Sequence, residues 1–113
     1  MRTVDNFPLC QEVTFEVFET RFIGRYYRFM TKKLSKKMSP TFLWTEFMSV
    51  IKGSINQEYQ RTNFLSMREY LEKGSPTLTR KEKQTLFYLF LKYEEWKLNV
   101  RAFDFLDVVN HVL

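Results

Sequence analysis

Between Arg21 and Lys37 the chain carries Arg21, Arg25, Arg28, Lys32, Lys33, Lys36 and Lys37, with no acidic residue among them. The first four recur at intervals of 4, 3 and 4, so on a helix they form a ridge, with Tyr27 near its edge. Positive charge at that density gains free energy by releasing counterions from a phosphate backbone, and a nearby aromatic ring can stack on an unpaired base. Single-stranded nucleic acid is the partner that this chemistry suits. Two other readings stand beside it: a solvated face whose long stems cover apolar surface, and a docking face for an acidic protein.

The remaining chemistry-bearing residues are sparse. A phosphate-binding loop needs glycines spaced about a Lys and a Ser or Thr. Gly24, Gly53 and Gly74 each stand alone, and Ile51-Lys52-Gly53-Ser54 reads as a helix end. One Cys, Cys10, and one His, His111, cannot build a zinc site without carboxylate help, and they sit at opposite ends of the chain. Asp104 and Asp107 lie three apart, a spacing that mimics an acid pair. The same two positions are the cap and first turn of a helix, where exposed N–H groups favour carboxylates. No catalytic residue, metal site or bound cofactor is therefore expected in this chain.

These side chains must be held by helices. The segment 1–13 reads as irregular, with room for a turn and one short extended piece, and 14–113 reads as helical. Thr14 caps a first helix over about 15–30, in which Phe15, Phe18, Phe22, Tyr26 and Phe29 form one aromatic stripe. Ser39 and Pro40 open a second helix that ends at Gly53; its buried face is Leu43, Phe47, Val50 and Ile51, widened by Trp44 and Met48. The pattern lapses over 55–64, as in a loop or weak helix. Ser66 with Glu69, and Thr79 with Glu82, are capping boxes for two further helices; Leu65 and Tyr70 form a staple on the first, and Gly74 stops it. The second, about 80–98, carries Leu86, Phe87, Leu89, Phe90, Tyr93, Trp96 and Leu98 on more than one stripe, as a central helix packed on two sides would. Asp104 caps the last helix, with Phe103 and Val108 placed as a staple. There Phe105, Val108, Val109 and Val112 keep the spacing of a buried stripe up to Leu113. The expected fold is a single all-α domain of about five helices in an irregular bundle.

Composition agrees. The 113 residues are 44% hydrophobic and 18% aromatic, with 3 Gly and 3 Pro, enough for a core and too few turn formers for an all-β fold. The net charge of +5 permits a polyanion partner without demanding one. A lone cysteine allows no internal disulfide. With no apolar run near ~18 residues, the expectation is an intracellular chain, cytoplasmic or nuclear, with no membrane partner.

The stretch Leu86–Leu113, LFYLFLKYEEWKLNVRAFDFLDVVNHVL, resembles a segment of UvrD/PcrA-like superfamily 1 helicases, in which an aromatic helix leads into a "DFxDLl" element. Phe87, Phe90 and Tyr93, then Phe103-Asp104-Phe105 with Asp107 and Val108, carry the likeness. PTFLWTEFMSVIKGS, REYL and EVTFEVFETRF narrow it to the helicase-like region of large proteins that also carry tetratricopeptide and ankyrin repeats. The likeness spans about residues 11–113. It implies an accessory segment lying between the Walker A loop and the Asp-Glu strand of a motor, including a helical insertion beside the nucleic acid. Both nucleotide motifs are missing here, so ATP and magnesium would belong to a parent motor. The apolar face of the last helix would then meet the rest of that motor. The alternative is a helical protein-interaction module that uses the same C-terminal face.

Overall fold

A computed structural model describes residues 11–25, 37–53 and 64–112, with side chains through Val108. The expected roles of Cys10, Tyr26, Tyr27 and Phe29, and of the side chains of Val109, His111 and Val112, lie outside the described residues, as does most of the 55–64 segment. Strand β1 (Gln11–Val13) leads into helix α1 (Phe15–Val17), which continues as a π-helical stretch, Phe18–Ile23. Helix α2 (Pro40–Thr45) likewise widens into a π-helical stretch, Glu46–Ile51. Helices α3 (Met67–Lys73) and α4 (Arg80–Val100) follow, then strand β2 (Ala102–Asp104) and helix α5 (Phe105–Val112). The fold is mostly α, as expected. Among the described residues it also holds a parallel ladder joining β1 to β2, with Gln11 opposite Ala102 and Val13 opposite Asp104.

Helix starts are set by local chemistry. Thr14 Oγ1 accepts from Val17 N–H, and Ser39 Oγ accepts from Phe42 N–H with Pro40 at the first helical position. Ser66/Glu69 and Thr79/Glu82 close both halves of their capping boxes, so four otherwise orphaned donors are satisfied. The end of α4 is less relaxed. Arg101 occupies the left-handed region at φ 57° and ψ 49°, where a side chain is strained and glycine is not. Arg101→Gly should therefore raise stability by roughly 0.5–1 kcal/mol, read as a rise in the urea midpoint. A fall would mean that the arginine side chain makes a compensating contact.

The core is aromatic and centred on α4. Phe18, Phe22, Phe47, Phe90 and Tyr93 are buried, and the Tyr93 ring lies 5.4 Å from Phe18, 5.4 Å from Phe22 and 5.5 Å from Phe47. The Phe47 and Phe90 rings meet edge-on at 5.1 Å, a geometry that aligns ring quadrupoles favourably. Tyr70 and Leu65 are buried, consistent with their place in the staple of α3.

The two π-helical stretches explain which side chains reach this core. Gly24 N–H bonds the carbonyl of Glu19, and Lys52 N–H that of Phe47 at 2.9 Å, each five residues back instead of four. In an α-helix a residue five on from Phe47 points about 140° away from it. The wider turn swings Lys52 back to the Phe47 side, so the helix delivers a lysine to the interior. Gly53 follows because space runs out: a Cβ there would lie 2.7 Å from the Met48 carbonyl oxygen and 2.8 Å from that of Ser49.

One part of the expected core is corrected. Leu98 is 82% exposed, whereas Lys97 is buried. The inward stripe of α4 runs Leu86, Phe90, Tyr93, Lys97, at 4, 3 and 4, and Leu98 falls on the opposite side. On α5, Phe105 and Val108 are also exposed rather than buried.

Candidate functional site

Where the ends of the α2 π-helical stretch, α4 and β2 meet, five charged side chains converge. Asp104 is fully buried at the last position of β2. Its Oδ1 accepts from Asp107 N–H, and Asp107 Oδ2 accepts from Asp104 N–H, both at 2.9 Å, so the pair forms a reciprocal cap at the start of α5. That much follows from the spacing of the two aspartates. The lysines do not. Lys52 Nζ donates to both Asp104 oxygens, at 3.0 and 2.8 Å, and to Glu94 Oε2 and Asp107 Oδ1. Lys97 Nζ lies 2.7 Å from Asp104 Oδ2 and 2.9 Å from Glu94 Oε2, and it also pairs with Asp107 Oδ2. The Tyr93 hydroxyl donates to Asp104 Oδ2 at 2.9 Å, and Lys97 Nζ sits 4.9 Å from the centre of the Tyr93 ring.

The electrostatics make this a clasp and leave it chemically quiet. Burial alone would lower the Lys52 pKa, but Glu94, Asp104 and Asp107 together outweigh it and hold the ammonium well above its ordinary range. For Asp104, burial pushes up while Lys52 and Lys97 pull down harder, and the carboxyl stays below its ordinary value. Burial, reinforced by Asp104, drives the Tyr93 phenol far upward. A nucleophilic lysine must be neutral, and a general acid or base must titrate near the working pH. Lys52, Asp104 and Tyr93 do neither. Among the described residues, carboxylate oxygens of Glu94, Asp104 and Asp107 fall within 4.8 Å of one another, as divalent-cation ligands do. Two ammonium groups already bond to them and balance most of their charge.

A second buried acid works the same way on a smaller scale. Glu46 Oε2 accepts from the Tyr70 hydroxyl at 2.9 Å and from Ser75 N–H at 2.7 Å, which ties the α3–α4 turn to α2. No buried side-chain polar atom among the described residues lacks a hydrogen-bond partner.

The basic segment is described in part. Arg21 lies in the π-helical continuation of α1 and Arg25 just beyond it; both are exposed. Lys37 is exposed too, but its ammonium is engaged with Glu82 Oε1 at 3.0 Å and the Thr77 carbonyl at 2.9 Å, at the start of α4. Arg28, Lys32, Lys33 and Lys36 lie outside the described residues. Among those described, no helix is long and apolar enough to cross a membrane.

Sequence reasoning did not find Lys52, Glu94 and Lys97 as one group. The signal was present in α4, where Lys97 extends the apolar stripe of Phe90 and Tyr93 and must therefore bring a countercharge inside with it. Compared with protein-family models, with curated proteins and with solved structures, the chain matches none.

Proposed function

We propose that this chain is a non-catalytic helical accessory segment of a UvrD-like helicase, or of a protein derived from one. It would act inside the cell and contact single-stranded nucleic acid through the helix face that bears Arg21 and Arg25. The observation that carries the reading is the exposure of these two arginines, four residues apart on a helix whose inner side is anchored in the aromatic core. The quiet chemistry of Lys52, Asp104 and Tyr93 supports a binding role over a catalytic one. ATP and magnesium would be held by other parts of a parent motor.

Retention of the chain on a single-stranded oligonucleotide at about 50 and 200 mM salt tests this. With two phosphate contacts the affinity should fall roughly 7-fold between those conditions; with the six basic residues other than Lys37 engaged it should fall roughly 300-fold. Arg21→Glu with Arg25→Glu should abolish retention. No retention by the parent chain at the lower salt ends the proposal.

A second reading is a helical protein-interaction module working through α5. The specific observation in its favour is Phe105, 64% exposed, with Val108 beside it on the same helical face. The arginine reversal separates the two readings: it leaves partner capture through α5 intact, whereas Phe105→Asp with Val108→Asp removes it.

A further inference from the structure

Among the described residues, α4 has a buried inner stripe and a mixed outer side on which three large apolar side chains are exposed. Its inner stripe is consumed by the core and the ion cluster. The outer side carries Gln84, Tyr88, Leu91, Glu95 and Leu98, at intervals of 4, 3, 4 and 3. That is the spacing of a coiled-coil seam, with Leu91 and Leu98 at equivalent positions one heptad apart. Tyr88 is 47% exposed and Leu91 42%, and the Glu95 side chain is 63% exposed. Leu98 is 82% exposed, the most exposed of the large apolar side chains among the described residues.

We propose that this face is a self-association surface, on which α4 of a second copy packs antiparallel about a two-fold axis between Leu91 and Glu95. The charges select that occupant. Lys92 and Glu95 lie 3.7 Å apart beside the middle of the seam. A two-fold axis there sets each Lys92 near the Glu95 of the partner and packs each Tyr88 ring against the opposite Leu98. It also opposes the two helix dipoles. Parallel pairing would stack Glu95 on Glu95, and a purely apolar helix from another protein would bury Glu95 without a countercharge. Two heptads make a small interface, below about 1,200 Å², so the dimer is weak and forms at high concentration.

Sedimentation velocity of the 113-residue chain from about 10 μM to 1 mM reads the outcome directly. The mass should rise from monomer toward dimer. Lys92→Glu and Glu95→Lys should each weaken association by about tenfold or more, and the double exchange should restore it, with helical content unchanged because both side chains face solvent. Leu91→Gln with Leu98→Gln should hold the chain monomeric while oligonucleotide retention persists, which separates this surface from the Arg21 face. A monomer at every concentration, or a double exchange no stronger than the single changes, overturns the proposal.

Discussion

Asp104→Ala should cost about 3–5 kcal/mol of folding stability, a large share of the roughly 5–15 kcal/mol that a domain of this size possesses. The loss arises from what the substitution leaves behind. Lys52 and Lys97 would remain buried, with their side chains 0% and 3% exposed, and their shared carboxylate would be gone. Neither ammonium can reach water from that position, and Glu94 and Asp107 alone do not replace the lost carboxylate. Asp104→Asn separates the causes, because asparagine caps a helix about as well as aspartate and can still bond the Tyr93 hydroxyl. It removes the charge and turns one acceptor oxygen into an NH2 donor that faces the Lys52 and Lys97 ammonium groups, so it should retain the roughly 1 kcal/mol that belongs to the cap and lose the rest. Asp107→Ala should be milder than Asp104→Ala, since the Asp107 side chain is 24% exposed and water can replace part of it. Urea denaturation followed by circular dichroism ranks the three variants. An Asp104→Ala protein within about 1 kcal/mol of the parent would mean that the cluster contributes no more than a surface ion pair.

This cluster also marks the boundary of what the sequence discloses. Helix starts were legible because a cap is a contract between residues three apart: Ser66 with Glu69, Thr79 with Glu82, Asp104 with Asp107. The apolar spacing was legible for the same reason: Phe18 and Phe22 of the aromatic stripe are buried, as are Phe47 on α2 and Phe90 on α4. Two things were not. A π-helical stretch shifts the angular register of everything after it, so Lys52, read in α-helical register as part of a helix end, faces the interior instead. The β1–β2 ladder joins Val13 to Asp104, residues far apart in sequence, through strands too short to show a period of their own. Lys97 illustrates a different difficulty. A lysine on an apolar stripe is ordinarily discounted in favour of its apolar neighbour, here Leu98, although only the lysine continues the spacing. The basic face was legible as composition. Its geometry was not, because Lys37 turns out to be spent on Glu82 and the Thr77 carbonyl.

The same groups predict where the fold fails with pH. Asp104 has a folded pKa below its unfolded value of about 3.9. Its contribution is full above that value and is lost as the pH falls through the folded pKa, so the fold should weaken progressively below about pH 4. At the alkaline end three groups act together. Lys52 is held charged by its carboxylates, and the Tyr93 and Tyr70 phenols are held neutral, chiefly by burial and then by Asp104 and Glu46 respectively. Each has a folded pKa raised above its unfolded value of about 10–10.4. Below that range both states keep their protons and stability is flat. Above it the unfolded chain releases protons that the folded chain retains, and stability falls by up to about 1.4 kcal/mol per pH unit for each group. Three groups give a limiting slope of roughly 4 kcal/mol per unit, so the chain should unfold cooperatively between about pH 11 and 12. Tyr93→Phe keeps the ring and both ammonium partners of Asp104 while removing one of the three protons, and it should lower the alkaline slope by about a third. Urea titrations at intervals from pH 9 to 12 measure that slope; a parent chain equally stable at both ends, or a slope untouched by Tyr93→Phe, contradicts the assignment of the buried hydroxyl to the Asp104 cluster.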